Sequence, residues 1–447
     1  MEKMDALACI VGGSSDEILY SRSISLQIWL LGYELSDTLM VLTEKAIYFL
    51  ASKKKIECLA QLQKNLDSEV PKIHLLPRDK ADNDAKNFAK IANAIKESKE
   101  GQTLGVFSKD KVATSTFTEK WTECSKKFTP EDMSLPFAQF MAIKDDTEMN
   151  LVKKACQAST DVFWKGLRDK LLTIIDGNKK KTHEEFSEDL ANLFEANKDG
   201  SIPGEKYVDK AIDASSLELC YPPIVMSGGK YKLKYSASSN NDKMHFGAII
   251  CSMGMRYKSY CSNITRTFLV NPSEKISSIY TLLLNAMDHL IGELKEGAKL
   301  SDVYTSTVNF VKKENPSLVD KLTKNFGSII GIDFRESAFI ISPNCDAIVK
   351  KGMVFNVNIG FDGLENKEAS DAKGKNVALF LADTVLANEG EAATVLTLCK
   401  KKLSKIAIIL QDEDDEEDDD AEKENSLPDP TSFGRGKRTA IVDNKLR

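Results

Sequence analysis

The residues that could perform acid–base or metal chemistry are few in this chain, and their spacing does not suit it. The four histidines are His74, His183, His245 and His289. His183 opens a His-Glu-Glu stretch, but Ser187 stands where the helical two-histidine motif of zinc proteases needs its second histidine. Each histidine is therefore predicted to be a packed or surface side chain rather than a metal ligand.

Nucleophilic catalysis has no better support in the sequence. Ser252 and Ser328 are separated in sequence from any plausible histidine partner that could act as their base. Cys251 and Cys261 lie among apolar and neutral neighbours, which predicts buried rather than reactive thiols. The nine cysteines contain no C-x-x-C pair, a pattern that indicates reduced thiols in the cytosol or nucleus.

The charge of the chain is concentrated at its end. The 447 residues carry a formal net charge of −6. Residues 411–447 hold 13 acidic and 6 basic residues, a net of −7, so residues 1–410 carry +1. A neutral body disfavours a body-wide nucleic-acid footprint.

No apolar run approaches the roughly 18–20 residues of a membrane span, and the N-terminus lacks a signal-peptide pattern, so neither membrane insertion nor secretion is expected.

The first 140 residues alternate short apolar segments with amphipathic ones, which predicts an α/β lobe over residues 1–140. The predicted strands are 6–11, 38–42, 46–50, 72–76 and 103–107, and the predicted helices are 53–63, 83–96 and 116–126.

Residues 141–410 predict an α+β domain in which helices cover one face of a curved, mostly antiparallel sheet. One helix is expected to begin at Asp145. A second is expected to run from about Thr182 to Ala196, with Thr182 as its cap and Glu185 completing a capping box. Two more helices are predicted at 273–295 and 301–314, and strands at 223–226, 246–252, 257–270, 339–342, 353–358 and 377–385.

Residues 411–447 predict a disordered acidic tail, because nine consecutive carboxylates repel one another and cannot bury a core. This acidic run consists of Asp412, Glu413, Asp414, Asp415, Glu416, Glu417, Asp418, Asp419 and Asp420.

The stretch from Cys251 to Thr267 resembles a hairpin motif of the creatinase, aminopeptidase P and prolidase family, the pita-bread metallopeptidases. In that family the motif reads D-x-G-x-x-Y-x-G-Y-x-x-D-x-x-R-T, and its two aspartates bridge a pair of divalent metal ions. The frame is kept by Gly254, Tyr257, Tyr260, Arg266 and Thr267. Ser252 and Asn263 stand at the two aspartate positions.

The other motifs of that family can also be aligned with this sequence, but their functional residues are replaced. Ser328 takes the place of the ligand histidine, and Asn358 and Ala382 those of the two glutamates. Lys234 and Arg335 take the places of two substrate-binding histidines. Two ions about 3.5–4 Å apart need anionic bridging oxygens, which Asn, Ser and Ala do not supply. The resemblance thus implies a pita-bread domain without metal, cofactor or peptidase activity.

A second resemblance, over residues 5–410 and the following linker, is to the large-subunit family of the FACT histone chaperone. The segments that carry it are 26–37, 49–55, 105–110, 220–224, 244–247, 258–263, 400–402 and 434–436. The resemblance implies a nuclear, chromosome-associated protein that binds core histones and nucleosomes during transcription, DNA replication and repair. FACT large subunits continue into dimerisation and middle domains, so contact with the smaller FACT subunit is expected through regions absent from this chain.

Four basic residues are candidates for binding on the folded body. Lys234, Arg256, Arg266 and Arg335 are predicted to rim the former substrate cleft and to hold a peptide segment there without cleaving it. The alternative is that Arg266 and Arg335 pair internally. The carboxylates available for such pairing are Asp333, Glu336 and Asp383.

The remaining charged clusters have two interpretations each. The acidic run is expected to bind basic histones, and the alternative is a solubilising spacer. The lysine trios 53–55, 179–181 and 400–402 could contact DNA phosphates, but such clusters are usually solvated, so direct DNA contact is expected to be weak or indirect.

Two functional alternatives to an inactive chromatin factor stay open at this point. The first is a working metal-dependent X-Pro aminopeptidase or prolidase, for which stoichiometric metal together with cleavage is diagnostic. The second is an inactive peptidase-like protein that binds nucleic acid, for which DNA affinity in the absence of histones and a steep salt dependence are diagnostic.

Overall fold

The chain forms two compact units. A computed structural model describes residues 4–13, 20–61, 71–410 and 439–440. Unit 1 comprises Met1–Ala142 with Ile332–Phe334, and unit 2 comprises Ile143–Gly331 with Arg335–Arg447. The division falls two residues after the predicted boundary at 140, and the short segment Ile332–Phe334 was not expected in unit 1. The predicted acidic tail falls outside the described residues, except for 439–440.

Unit 1 is an α/β layer structure, as predicted. Its elements are β1 (Ala6–Val11), α1 (Arg22–Leu31), β2 (Thr38–Thr43), β3 (Ala46–Ala51), α2 (Lys53–Leu59), β4 (Lys72–Pro77), α3 (Ala85–Lys96), β5 (Thr103–Val106), α4 (Thr116–Ser125), β6 (Thr129–Asp132) and α5 (Ser134–Ala142). The six strands are ordered β4-β3-β2-β1-β5-β6. The β1–β2 and β2–β3 pairs are antiparallel, and the other pairs are parallel.

Both faces of this sheet are covered, which explains why its central strands are apolar throughout. Leu39 and Val41 of β2 pack in one core with the aromatic side chains of α3 and α4. Met40, between them, packs in a second core with residues of α1, α2 and α5. Alternate residues of a strand point to opposite faces, so a strand between two helical layers has no polar face.

Unit 2 has the predicted α+β composition. Its helices are α6 (Asp146–Asp161), which runs on through a π-helical turn (Val162–Arg168) into α7 (Asp169–Asp176), then α8 (His183–Ala191), α9 (Glu274–Glu293), α10 (Leu300–Glu314) and α11 (Leu403–Ile406). Its strands are β7 (Leu217–Leu219), β8 (Ile224–Met226), β9 (Ala248–Met253), β10 (Met255–Tyr257), β11 (Tyr260–Cys261), β12 (Ile264–Val270), β13 (Gly327–Ile329), β14 (Val354–Glu365), β15 (Asn376–Leu386), β16 (Thr394–Val395), β17 (Ala407–Leu410) and β18 (Thr439–Ala440). Short 3₁₀ turns lie at Asn192–Phe194, Pro203–Tyr207, Ala214–Ser216 and Pro316–Lys321.

The nine-stranded sheet is the framework of unit 2. Its main path runs β13-β14-β15-β12-β17-β18, with β9 also paired to β12, β8 to β9 and β16 to β15. A smaller sheet has the order β11-β10-β7. Within the described residues, no helix combines the length and apolar character needed to cross a bilayer.

Local sequence signals set several boundaries of unit 2, and tertiary context set others. Helices α6 and α8 begin where predicted, directly after Asp145 and Thr182. Both starts have a capping box, of which only the one at Thr182 was predicted. The predicted strand 257–270 is three strands, because Lys258 and Ser259 adopt positive φ angles and turn the chain between β10 and β11. The predicted strand 339–342 is wrong, since only an isolated bridge between Ser328 and Ile340 forms there.

Candidate functional site

Four of the five predicted ligand positions lie on strands of the nine-stranded sheet, and the fifth, Asn263, directly precedes β12. Thr265 of β12 is in register with Ser252 of β9 on one side and with Ala382 of β15 on the other. Ala382 in turn lies opposite Asn358 of β14, and Ser328 of β13 pairs two residues before that position. The sheet therefore gathers these residues, far apart in sequence, into one place.

Asn263, the residue before β12, is the centre of a hydrogen-bond network at this place. Its Nδ2 donates to Oδ1 of Asn356 at 3.0 Å, and its Oδ1 accepts from the hydroxyl of Tyr221 at 2.5 Å. Its backbone N–H donates to Oγ1 of Thr384 at 2.9 Å. Both ends of the amide are therefore occupied, which fixes its orientation.

Neighbouring hydroxyl groups extend the network. The Thr265 hydroxyl donates to Oγ of Ser252 at 2.8 Å, and the Tyr235 hydroxyl lies 3.5 Å from Thr265 Oγ1. We call this set the neutral cluster: Tyr221, Tyr235, Ser252, Asn263, Thr265 and Asn356. Roles for Tyr221, Tyr235 and Asn356 were not predicted, because nothing in the sequence places them beside the replaced ligands.

The neutral cluster carries no formal charge, and its Ser, Asn and Thr side chains are buried, while Tyr221 and Tyr235 are partly buried. Ser252, Asn263 and Asn356 are each at most 3% exposed. Burial raises the pKa of Tyr221 well above its ordinary value, and it raises the pKa of Tyr235 in the same direction. Both phenols therefore keep their protons at neutral pH and act as neutral hydrogen-bonding groups.

A pair of divalent metal ions, which the fold family implies, does not fit these residues. Anionic bridging oxygens would be needed, and the five ligand positions offer two amides, two hydroxyls and a methyl group. Among the residues that the structure describes, no group of three or more His, Cys, Asp and Glu side chains is arranged to hold a metal ion.

Two glycines at the site have steric roles. A Cβ at Gly254, between β9 and β10, would lie 2.2 Å from the carbonyl oxygen of Ser262. Gly327 has φ +115°, and a Cβ there would lie 1.9 Å from the carbonyl oxygen of Asn356. These close backbone approaches bring the strands of the site together and do not depend on metal binding.

Arg266, predicted to rim a cleft, lies instead in the core and is fully buried. Its guanidinium donates to Oδ1 of Asp383 at 2.7 Å. It also donates to the backbone carbonyl oxygens of Thr265, Ala382, Cys399 and Lys400. These five acceptors match its five N–H donors, so the internal-pairing alternative is correct for Arg266.

Asp383, the carboxylate nearest in sequence to the Ala382 position, is equally committed. Its Oδ1 also accepts from the Thr397 hydroxyl at 2.9 Å, and its Oδ2 lies 3.3 Å from Nζ of Lys401. The side chain is fully buried and bound on both oxygens. It therefore serves as a structural counter-ion.

The other predicted binding residues lie at the surface. Arg256 pairs with Glu218 and contributes to the β7–β10 contact. Lys234 and Arg335 are exposed, and no ion pair forms at either within the described part of the chain. Asp333 belongs to unit 1, where its carboxylate accepts from Arg22 at 2.8 Å. The acidic run Asp412–Asp420 falls outside the described residues.

The cysteines near the hairpin are buried thiols. Cys251 and Cys261 are both fully buried. Burial raises the pKa of Cys251. A thiol of this kind stays protonated and does not act as a nucleophile.

Comparisons with known proteins agree with this geometry. Residues 1–135 match the FACT complex subunit SPT16 N-terminal lobe domain family, and residues 150–389 match metallopeptidase family M24. The chain is 35% identical over 454 residues to FACT complex subunit spt-16 of Caenorhabditis elegans, with all of the chain and 42% of the relative covered. It is also 35% identical to FACT complex subunit SPT16 of Arabidopsis thaliana, with 99% of the chain and 40% of the relative covered. The chain thus spans about two fifths of the length of these relatives.

Solved structures extend the comparison. The N-terminal domain of FACT complex subunit SPT16 from chickpea is 35% identical and superimposes with a TM-score of 0.82, covering 91% of this chain and 93% of that one. The X-Pro aminopeptidase from Thermotoga maritima has a TM-score of 0.65 at 15% identity, covering 89% of this chain and 96% of that one, and this likeness shows the fold alone. The lobe family, the peptidase-like fold and the near full-length match to the chickpea domain coincide in one chain, which therefore belongs to the SPT16 family of FACT complex subunits over the part that forms their N-terminal domain.

Proposed function

We propose that this chain is a catalytically inactive, histone-binding module of a FACT complex subunit. In this role it binds core histones and nucleosomes in the nucleus and takes part in reorganising chromatin during transcription, DNA replication and repair. Family membership supports the link to the FACT complex, and the relatives' names refer to proteins more than twice as long as this chain.

The observation that carries the proposal is the neutral cluster. A peptidase of this fold would need carboxylates where Asn263, Asn358 and Ala382 stand, and the site is instead closed by hydrogen bonds among uncharged groups. Returning a metal pair to such a site would leave two cations without compensating charge in a buried environment, which is strongly unfavourable. An inactive peptidase fold supports a binding role for the module.

Histone binding is supported by charge. The acidic run offers nine consecutive carboxylates to strongly basic partners, an attraction that gives fast and salt-sensitive association. On the folded body, exposed Lys234 and Arg335 stay candidates for contact with a peptide segment. The smaller FACT subunit is expected to bind through regions outside this chain.

The test uses the full chain with purified core histones. We expect histones to be retained at about physiological salt and released as the salt concentration rises, because the attraction is largely ionic. In parallel, the same preparation is incubated with manganese and X-Pro peptides. Absence of histone retention, or turnover of the peptides, contradicts the proposal, and turnover would favour the X-Pro peptidase alternative.

A further inference from the structure

Unit 2 carries a concentrated group of exposed lysines that no single stretch of sequence reveals. They come from four places in the chain, and we call the set the lysine face. Its members are Lys179, Lys180, Lys230, Lys232, Lys234, Lys243 and Lys373, all of which are exposed.

Backbone contacts bring the segment that contains Lys179 and Lys180 together with the segment that contains Lys243. The residue before α8, Thr182, forms a β-bridge with Lys243. The N–H of Met244 donates to the carbonyl oxygen of Lys181 at 2.9 Å. The lysines that precede α8 therefore lie beside Lys243.

Further contacts join the segment that contains Lys230, Lys232 and Lys234, and the loop that contains Lys373, to this surface. Nζ of Lys230 lies 2.8 Å from Oδ2 of Asp242, the residue before Lys243. Nδ2 of Asn376 donates to the carbonyl oxygen of Gly229 at 2.7 Å, which holds the β14–β15 loop, with Lys373, against the start of this segment. Four separate segments thus form one surface.

The segment 230–235 is oriented by its apolar residues. Tyr231, Leu233 and Tyr235 pack against a core cluster of unit 2, and the Tyr231 hydroxyl donates to the carbonyl oxygen of Ala248 at 2.9 Å. The intervening Lys232 and Lys234 are exposed. The aromatic rings are turned inward, so the segment presents ammonium groups to solvent and no stacking platform.

The acidic residues that border this face are Glu184, Glu185 and Asp189 of α8, of which Asp189 pairs with Lys181. The residues 177–182, 228–245 and 371–376 contain nine lysines and two aspartates, although residues 1–410 as a whole carry only +1. Of the two aspartates, Asp242 binds Lys230, and Asp371 binds Nε2 of His245 at 2.8 Å. No other ion pair to the lysine face forms within the described residues. Lysines therefore clearly outnumber acidic residues in these three segments.

We propose that the lysine face binds the phosphate backbone of duplex DNA without reading its sequence. Lysine ammonium groups are compact point charges that suit phosphate oxygens, whereas sequence readout requires groups that reach base edges. A surface of separate, exposed ammonium groups fits a polyanion whose charges repeat along a line, and duplex DNA carries one charge per about 1.7 Å of axis. Taken alone, the lysine trio 179–181 favours solvation. The assembled lysine face, to which four segments contribute, favours binding to phosphate instead.

The test measures the affinity of the full chain for a histone-free DNA duplex of random sequence, by fluorescence anisotropy at several salt concentrations. The test variant combines Lys179→Gln, Lys232→Gln, Lys243→Gln and Lys373→Gln, none of which breaks an ion pair. A matched control combines Lys53→Gln, Lys54→Gln, Lys312→Gln and Lys313→Gln. These lysines are also exposed, and they lie on α2 and α10. Both variants change the net charge by the same amount.

We expect the face variant to lose about tenfold or more in affinity at low salt, with a slope of log affinity against log salt that is shallower by about 3 to 4. The control should stay within about twofold of the original chain. An equal loss in both variants, or no binding of the original chain to DNA, overturns the inference. Binding of an acidic polypeptide in place of DNA overturns it as well. Histone retention by the face variant is measured alongside, so failure of this inference is distinguishable from failure of the proposed function.

Discussion

The Tyr221 hydroxyl lies 2.5 Å from Oδ1 of Asn263, while Nδ2 of the same amide donates to Asn356. An aspartate has nearly the shape of asparagine, yet when ionised it can only accept hydrogen bonds. The network therefore distinguishes between the two residues at the position where metallopeptidases of this fold carry a ligand aspartate. Asparagine supplies the N–H donor to Asn356 and carries no charge, whereas ionised aspartate lacks the donor and adds a negative charge.

Asn263→Asp is expected to destabilise unit 2 in a pH-dependent way. The buried environment raises the pKa of the new carboxyl group above its unfolded value, so the variant is penalised increasingly as pH rises above about 4. The cost should reach about 1–3 kcal/mol near neutral pH. Urea denaturation between about pH 5 and about pH 8 measures it.

The control for that experiment is Asn150→Asp on the exposed face of α6. It introduces the same chemical change in water and should alter stability by less than about 0.5 kcal/mol. Equal effects of the two substitutions would show that Asn263 is not held in a neutral, closed network.

The ion pair of Arg266 and Asp383 should be a major structural element of unit 2. Both side chains are fully buried, so Asp383→Asn leaves a buried guanidinium without its counter-ion. The expected loss in the free energy of unfolding is about 3–5 kcal/mol, measured by urea denaturation. Neutralising Glu389 of the solvent-exposed pair with Lys351 should change the stability far less, because water screens that pair. A small effect of Asp383→Asn would contradict the assignment.

Much of the fold follows from the sequence because the signals are local. Strand β1 has the predicted bounds, and helices α6 and α8 begin after Asp145 and Thr182 as expected. The end of α8 at Ala191 differs from the predicted 196, where the chain tightens into a 3₁₀ turn. Amphipathic spacing indicates that a helix exists but does not fix where packing ends it.

The site was only partly predictable. The motif frames located the five replaced ligands, and the strand register brings them together. The partners Tyr221 and Asn356 could not be predicted, because they come from distant segments and contact Asn263 only in the folded sheet. The burial of Arg266 could not be predicted either. An arginine at the rim of a cleft and an arginine in an internal ion pair look the same in the sequence.

His183 should make unit 2 sensitive to mild acid. Its Nε2 lies 2.8 Å from Oγ of Ser227 and its Nδ1 lies 2.7 Å from Oδ1 of Asn240. Burial is the main cause that lowers its pKa. The stabilising contribution of neutral His183 is therefore fully present above about pH 6.5, the pKa of histidine in the unfolded chain. It is lost as the pH falls through the lower pKa of His183 in the folded protein.

Thermal denaturation as a function of pH tests this expectation. His183→Gln should show a smaller drop in the unfolding temperature below about pH 6.5 than the original chain does. The control is His289→Gln, at a partly exposed histidine that contacts Ser306. An acid response unchanged in His183→Gln would assign the effect to other groups.

The acidic run should account for most of the salt dependence of histone binding. Replacing its nine carboxylates by the corresponding amides in the full chain removes a charge of −9. We expect affinity for core histones at low salt to fall by about tenfold or more, and the salt dependence to flatten. Competition binding at several salt concentrations measures both effects. Unchanged affinity and salt dependence would support the spacer alternative.

We propose that the neutral, hydrogen-bonded cluster stands in place of a metal centre. Elemental analysis of the full chain, after incubation with manganese or zinc and removal of free ions, tests this proposal. We expect no stoichiometric metal. One or two tightly bound ions per chain, coordinated among Ser252, Asn263 and Asn358, would contradict it.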